Sequence, residues 1–256
     1  MNQDPFRLDG RVAIVTGAGG GERGTDALAQ TPAGAGAAVV CADLNVDAAE
    51  ARASAIRDSG ATALAVAVDV TDRVAVTAMT DKVVAELGGL DILVNNAAIY
   101  PRRAWTEISE EEWDSVLAVN LKGYFLCARA AFSHLQASGH GRIVNVASIT
   151  AFIGLSHLLD YVSSKGAVIS FTRALAREVG VEGVTVNAIS PGAFPTDAEK
   201  IHPDPEEYTR WILEQQSLKR RGTPDDIGNL AVFLAGDASS FITGQVIEID
   251  GGWFMH

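Results

Sequence analysis

Seven short runs of almost uninterrupted apolar residues, rich in β-branched side chains, punctuate this chain. They are Arg11–Thr16, Ala37–Ala42, Thr62–Val68, Leu90–Val94, Arg142–Val146, Val184–Ile189 and Val246–Ile249. A strand with one wet face alternates apolar and polar residues; a strand covered on both faces does not. Helix-like segments separate the runs: Val46–Asp58, Asp72–Leu87, Glu110–Ala137, Tyr161–Val179 and Pro224–Ala235. Thr71 reads as an N-cap, and Thr223-Pro224 places a cap residue and a proline at a helix start. This alternation predicts a doubly wound α/β fold, a seven-stranded parallel sheet with helices on both faces. The 256 residues are 48% hydrophobic and show no internal repeat or linker. One domain over residues 1–256 is expected, large enough to need no disulfide or metal staple. Pro195–Ser217 breaks the alternation with three prolines and a polar composition, which predicts a lid at about 195–217.

The charge balance narrows the function classes. Twenty Lys and Arg against 32 Asp and Glu give a net charge of −12. Such a surface repels phosphodiester backbones and argues against nucleic-acid binding. No apolar run approaches the ~18 residues that span a bilayer, and Met1–Pro5 lacks a signal-peptide pattern. Cys41 and Cys127 lie far apart in apolar surroundings, as expected of buried thiols in a reducing cytoplasm. No Cys/His cluster has metal-ligand spacing, so no metal is expected.

The first strand runs into Thr16-Gly17-Ala18-Gly19-Gly20-Gly21. Glycines at a strand-to-helix turn let backbone N–H groups approach a pyrophosphate. The second strand ends in Asp43, where a dinucleotide fold places a carboxylate on the adenosine ribose. A carboxylate there repels a 2′-phosphate and favours NAD over NADP; Arg23 in the glycine loop argues the other way. Further on, Tyr161 and Lys165 stand at i and i+4 on one helix face. A nearby ammonium stabilises phenolate and suits a tyrosine to acid/base work. Ser148 follows the fifth strand, at the carboxyl edge where ligands bind in open α/β sheets.

Taken in order, the glycine turn, Asn95-Asn96-Ala97-Ala98, Asn120, Ser148, Tyr161, Lys165, Pro191-Gly192 and Thr243–Gly252 resemble the short-chain dehydrogenase/reductase family. The resemblance runs from about Leu8 to Gly252. It implies a Rossmann-like fold and a nicotinamide cofactor, with hydride passing between NAD(H) and an alcohol or ketone. Tyr161 would be the general acid/base, Ser148 would bond the same substrate oxygen, and Lys165 would bind the nicotinamide ribose and lower the Tyr161 pKa. Asn120 would hold a water linking Lys165 to solvent. Cofactor contacts would come from Gly17, Gly21, Asp43, Asp69, Val70, Asn96, Lys165, Pro191, Gly192 and Thr196. The family is commonly tetrameric through helices corresponding to Glu110–Ala137 and Tyr161–Val179 and an apolar C-terminal end, here with Trp253 and Phe254.

The segment Glu22–Gly36 departs from the family pattern. Arg23 stands where a glycine is usual, and Pro32 and Gly34 oppose a regular helix. At best Thr25–Thr31 forms a short helix, and the first helix is expected to be shortened or displaced before Pro32. Three explanations stand: a natural variant, a loop that weakens nucleotide binding, or a local compensated reading-frame error. Ala98, where the family usually has glycine, is a smaller departure.

Ile99-Tyr100-Pro101, Ile153, Leu155, Phe194 and Trp211 are candidate pocket lining and predict a small hydrophobic secondary alcohol or ketone. His157 reads more readily as a solvated loop residue than as a substrate contact. A 3-oxoacyl-[acyl-carrier-protein] reductase is the alternative within the family; Arg102-Arg103 or Lys219-Arg220-Arg221 could then meet the carrier. The alternative of another class is a non-catalytic member with impaired nucleotide binding.

Overall fold

A computed structural model of the chain describes residues 4–19, 26–195 and 204–255. Seven parallel strands form one sheet: β1 (Val12–Thr16), β2 (Ala38–Asp43), β3 (Ala63–Ala67), β4 (Ile92–Asn95), β5 (Arg142–Val146), β6 (Thr185–Pro191) and β7 (Val246–Ile249). Their order is β3-β2-β1-β4-β5-β6-β7. The chain winds outward from β1 to β3, then returns to the centre and winds the other way from β4. Strand order therefore reverses between β1 and β4, and the crevice beyond the carboxyl ends of those strands is the natural ligand site.

Residue alternation explains why these strands carry no polar face. In β1, Ala13 and Val15 join the core beneath α1 (Ala27–Gly34), α2 (Val46–Asp58) and α9 (Pro224–Ala235). Val12 and Ile14 point the other way, toward α3 (Arg73–Leu87), α5 (Gly123–Ser138) and α7 (Leu159–Val179). β2 divides alike, Val39 and Cys41 to the first face and Val40 and Ala42 to the second. The remaining helices are α4 (Glu110–Leu117), the single turn α6 (Thr150–Ile153) and α8 (Pro205–Gln215).

Local chemistry sets the helix starts, with one correction to the caps. Asp72, not Thr71, caps α3; its side chain accepts the Val74 N–H at 2.7 Å. At α9 the expected start holds: Asp226 Oδ2 accepts the N–H and hydroxyl of Thr223, and Pro224 sits in the first turn.

Two helices differ from expectation. The segment expected as one helix over Glu110–Ala137 is divided by a π-helical turn, Ala118–Lys122, between α4 and α5. Helix α1 runs through Pro32 to Gly34 instead of stopping at Thr31, although at eight residues it is short. Tertiary burial overrides the proline. Ala27, Leu28, Ala29, Pro32 and Ala33 are all buried. Gly228 of α9 lets the two helices touch, since a Cβ there would lie 2.0 Å from Thr31 Oγ1. Residues 22–25 of the irregular segment, Arg23 among them, lie outside the described residues.

Of the predicted lid, residues 195 and 204–217 are described, and most of the latter is α8. Asp204 caps this helix by accepting the N–H groups of Glu206 and Glu207. Cys41 and Cys127 are both free and buried, and burial pushes each thiol up to about 12.

Candidate active site

The carboxyl ends of the strands gather the predicted residues on one edge. After β1 the chain turns through Gly17 at φ +67°, where a Cβ would come within 2.7 Å of Ala97 Cα. Only glycine combines that φ with so close an approach. Asn96, following β4, locks the turn from the other side: its Nδ2 donates to the carbonyls of Thr16 and Gly17, both at 3.1 Å. At the end of β2, Asp43 Oδ2 accepts the Gly19 N–H at 2.9 Å and Oδ1 accepts the Asn45 N–H at 2.9 Å. The carboxylate thus ties the glycine turn to the start of α2. Gly21 lies outside the described residues.

Asp69 and Val70 follow β3. Asp69 is exposed and its Oδ1 accepts the N–H and hydroxyl of Thr71. Val70 is buried against Gly123 of α5, where a Cβ would meet Val70 Cγ2 at 2.9 Å. After β6, Gly192 packs on Asp250 and donates to the Ile249 carbonyl at 3.0 Å; the Pro191 carbonyl accepts from Ile149 N–H. Thr196 lies outside the described residues.

Ser148 sits two residues past β5, buried, with its Oγ accepting from the Thr150 hydroxyl at 3.0 Å. Tyr161 and Lys165 project from the first turns of α7. Burial pushes the Tyr161 phenol up to about 12; a hydrogen bond with Ser148 opposes this, and Tyr100 adds to it. Ser148 and Tyr161 thus lie side by side at this edge. The ring of Tyr100 meets Tyr161 edge-on at 5.8 Å.

Lys165 is buried to 1% exposure, and burial alone lowers its pKa to about 7. Its Nζ donates to the Val146 carbonyl at 2.6 Å and the Tyr124 hydroxyl at 3.2 Å. It lies 5.7 Å from the centre of the Tyr161 ring. The sequence reading expected this ammonium to depress Tyr161. In this arrangement the net shift of Tyr161 is upward, because desolvation dominates and the ammonium is turned onto β5 and α5.

Asn120 is fully buried within the π turn. Its Oδ1 accepts the Ile99 N–H at 2.8 Å, while Nδ2 donates to the Ile99 carbonyl at 2.9 Å and to Ser164 Oγ at 3.0 Å. The amide holds the loop after β4 against α7, and both its donor hydrogens are committed there.

The pocket lining divides. Ile99, Tyr100 and Trp211 expose 38, 48 and 40% of their surface. Pro101, Ile153 and Leu155 are half-buried. Phe194 is 8% exposed, belongs to the core and packs against Gly222. His157 is exposed, at φ 64°, and its carbonyl accepts the Arg103 N–H. Trp253 and Phe254 pack within the chain, Trp253 edge-on to Trp211 at 5.3 Å and Phe254 stacked on Phe152 at 4.9 Å. Tyr124 was not anticipated; an aromatic residue in a long apolar helix reads as plain core until its hydroxyl is seen beside Lys165.

Gly17 offers a cradle that a side chain would fill, and carboxylate and amide groups ring it at the strand reversal. The residues present fit a dinucleotide laid across this edge. Comparison with known proteins agrees. The profile of the family described as Enoyl-(Acyl carrier protein) reductase matches residues 25–254. The chain is 39% identical to (2S)-[(R)-hydroxy(phenyl)methyl]succinyl-CoA dehydrogenase subunit BbsD of Thauera aromatica, over 96% of this chain and 97% of that one. A crystal structure of a gluconate 5-dehydrogenase from Burkholderia cenocepacia in complex with NADP and tartrate superposes with a TM-score of 0.91 at 36% identity, covering 98% of this chain and 97% of that one. A short-chain type dehydrogenase/reductase from Mycobacterium marinum superposes with a TM-score of 0.87 at 34% identity, over 98% and 97% of the two chains. Members of this family are oxidoreductases that use a nicotinamide cofactor. With its sheet order, its strand-edge site and these relatives in agreement, the chain belongs to the short-chain dehydrogenase/reductase family.

Proposed function

We propose that this oxidoreductase transfers a hydride between NAD(H) and a small hydrophobic secondary alcohol or ketone. The observation that carries the reading is the meeting of Ser148, Tyr161 and Lys165 on the same sheet edge as the Gly17 cradle. A bound nicotinamide ring would accept or supply the hydride. The chain's own groups do the rest. Ser148 and Tyr161 bond one substrate oxygen, and Tyr161 takes or returns its proton. Lys165 supplies the positive charge that a Tyr161 phenolate needs in this buried setting, turning its free N–H toward the ribose and the phenol. With its side-chain amide committed, Asn120 would hold the relay water through its main-chain carbonyl. Gly17, Gly21, Asp69, Val70, Asn96, Pro191, Gly192 and Thr196 complete the proposed cofactor surface.

Asp43 supports NAD, because its carboxylate at the end of β2 would repel a 2′-phosphate. The NADP bound by the gluconate 5-dehydrogenase is the contrary precedent. Exposed Ile99, Tyr100 and Trp211 support an apolar substrate. The matching family's description as an enoyl-(acyl carrier protein) reductase supports a carrier-bound substrate, and with it the second reading, a 3-oxoacyl-[acyl-carrier-protein] reductase preferring NADPH. Residues 195–217 would act as the lid within one catalytic domain. An open, mainly apolar groove of about 720 Å³, lined by Leu117, Leu121, Phe125 and Phe171 with Asp114 and Lys122, supports burial of this face between copies of the chain, as the proposed homotetramer requires. A cytoplasmic setting is supported by the two free buried thiols, and no described helix is long and apolar enough to cross a membrane.

Calorimetric titration tests the reading. Micromolar NAD binding is expected, with NADP weaker by about tenfold or more, a difference of ~1.4 kcal/mol. In Asp43→Asn that gap narrows. Tighter NADP binding would overturn the NAD reading and turn attention to acyl-carrier substrates. Failure of folded protein to bind either would support the non-catalytic alternative.

A further inference from the structure

A buried ammonium needs more than space; it needs acceptors, and the acceptors decide where its charge points. Around Lys165 Nζ those are few. β5 contributes the Val146 carbonyl at 2.6 Å and α5 contributes the Tyr124 hydroxyl at 3.2 Å. The Tyr124 hydroxyl in turn donates to the same Val146 carbonyl at 3.2 Å, closing a triangle. The ammonium lies 5.2 Å from the centre of the Tyr124 ring and 5.7 Å from that of Tyr161, so two aromatic faces flank it. Tyr124 is 1% exposed, and no step assigned above uses its hydroxyl.

On the dehydrogenase reading above, we propose that Tyr124 is a positioning residue: its hydroxyl and the Val146 carbonyl hold the Lys165 ammonium at the floor of the site, oriented between the two tyrosine rings. The sequence delivers it by spacing. Tyr124 stands four residues after Asn120, just beyond the π turn, so one helical stretch clamps Ser164 with the first residue and Lys165 with the second. Gly123 lets this stretch press against Val70.

The groups facing the ammonium are Tyr124, with Cys127 behind it on α5, Tyr161 on α7, Tyr100 behind Tyr161, and the Val146 carbonyl. No carboxylate among the described residues offsets the burial of Lys165. Removing the Tyr124 hydroxyl takes away one of two acceptors and disfavours the charged form, so Lys165 then loses its proton at lower pH.

The test is Tyr124→Phe, which keeps the ring. Lysine labelled at Cε reports the titration directly, with the Lys165 signal identified by its loss in Lys165→Met. A downward shift of about one unit is expected. In NAD-coupled alcohol oxidation kcat falls about tenfold, the limb of the pH profile set by Lys165 moves the same way, and the alcohol KM stays within about twofold. Unchanged Lys165 titration and an unchanged pH profile would overturn the proposal, even if the variant melted earlier. Should the variant not fold, the wild-type protein decides with 15N-labelled lysine. A Lys165 ammonium signal protected from exchange below its pKa supports the triangle. Exchange as fast as at exposed Lys82 overturns it. A wild-type protein that turns over no alcohol with NAD would sink the function proposed above and leave the labelling result standing.

Discussion

At the scale of single residues the site is built on an electrostatic cost. Among the described residues Lys165 is the only lysine in the set of largest fully buried side chains, and burial lowers its pKa from 10.5 to about 7. Between pH 7 and 10.5 the unfolded chain holds a proton that the folded chain has released. Stability therefore rises with pH across that window, and the penalty is full below it. Lys165→Met is expected to raise Tm most below pH 7, with the advantage shrinking toward pH 10. Thermal melts of both proteins across that range check this; an advantage that grows with pH would contradict it. The same variant loses about 10²–10⁴-fold in alcohol oxidation, the range for removing acid–base machinery. The residues themselves were legible from Tyr161, Lys165 and Ser148 in order. The direction of the Tyr161 shift was not, because i, i+4 spacing says which face two side chains share and not where the ammonium's hydrogen bonds turn it.

At the scale of elements, burial outweighs intrinsic propensity. Helix α1 contains a proline that removes an N–H and crowds the preceding turn, yet the helix persists because α9 covers it. Pro32→Ala restores the bond to the Leu28 carbonyl. Of the ~3 kcal/mol an interior proline costs, the greater freedom of the unfolded chain takes back up to ~1. A net gain of about 1–2 kcal/mol is expected, read as a higher denaturant midpoint with unchanged slope. A lower midpoint would mean that the ring's packing outweighs the lost hydrogen bond. The π turn at Ala118–Lys122 makes the complementary point. No proline stands in Glu110–Ala137, so nothing in the residue types announced a break. Yet it is this turn that seats Asn120 against Ile99 and Ser164.

At the scale of the molecule, the two edges of the sheet do different work. The carboxyl edge carries the proposed chemistry. The amino edge carries an ionic hub, in which Asp237 faces Arg11 at 3.4 Å, Arg142 at 3.5 Å and His140 at 3.7 Å. Arg142 is 5% exposed, and its pKa is lowered by burial against the support of Asp237. Asp237→Ala leaves that guanidinium with the carbonyls of Gly141 and Gly236. Asp237 is half exposed, so solvent screening limits the loss to about 1–2 kcal/mol. Chemical denaturation should show that loss, while NAD affinity and kcat remain those of wild type. A matching loss of NAD affinity would show that the two edges are coupled.

The sequence by itself determined the layered fold and its seven strands, and it set Gly17, Asp43 and Ser148 at or just past strand ends. These follow from hydrophobic periodicity and turns, which are local; the fuller set of site residues rests on the family resemblance. Only the tertiary structure decided the rest: α1 running through Pro32, Phe194 turned into the core, Asp43 tied to the glycine turn, and Tyr124 beside Lys165. Each joins groups from elements distant in sequence, where long-range packing and the demand that buried polar atoms find partners outweigh any preference of the residue alone.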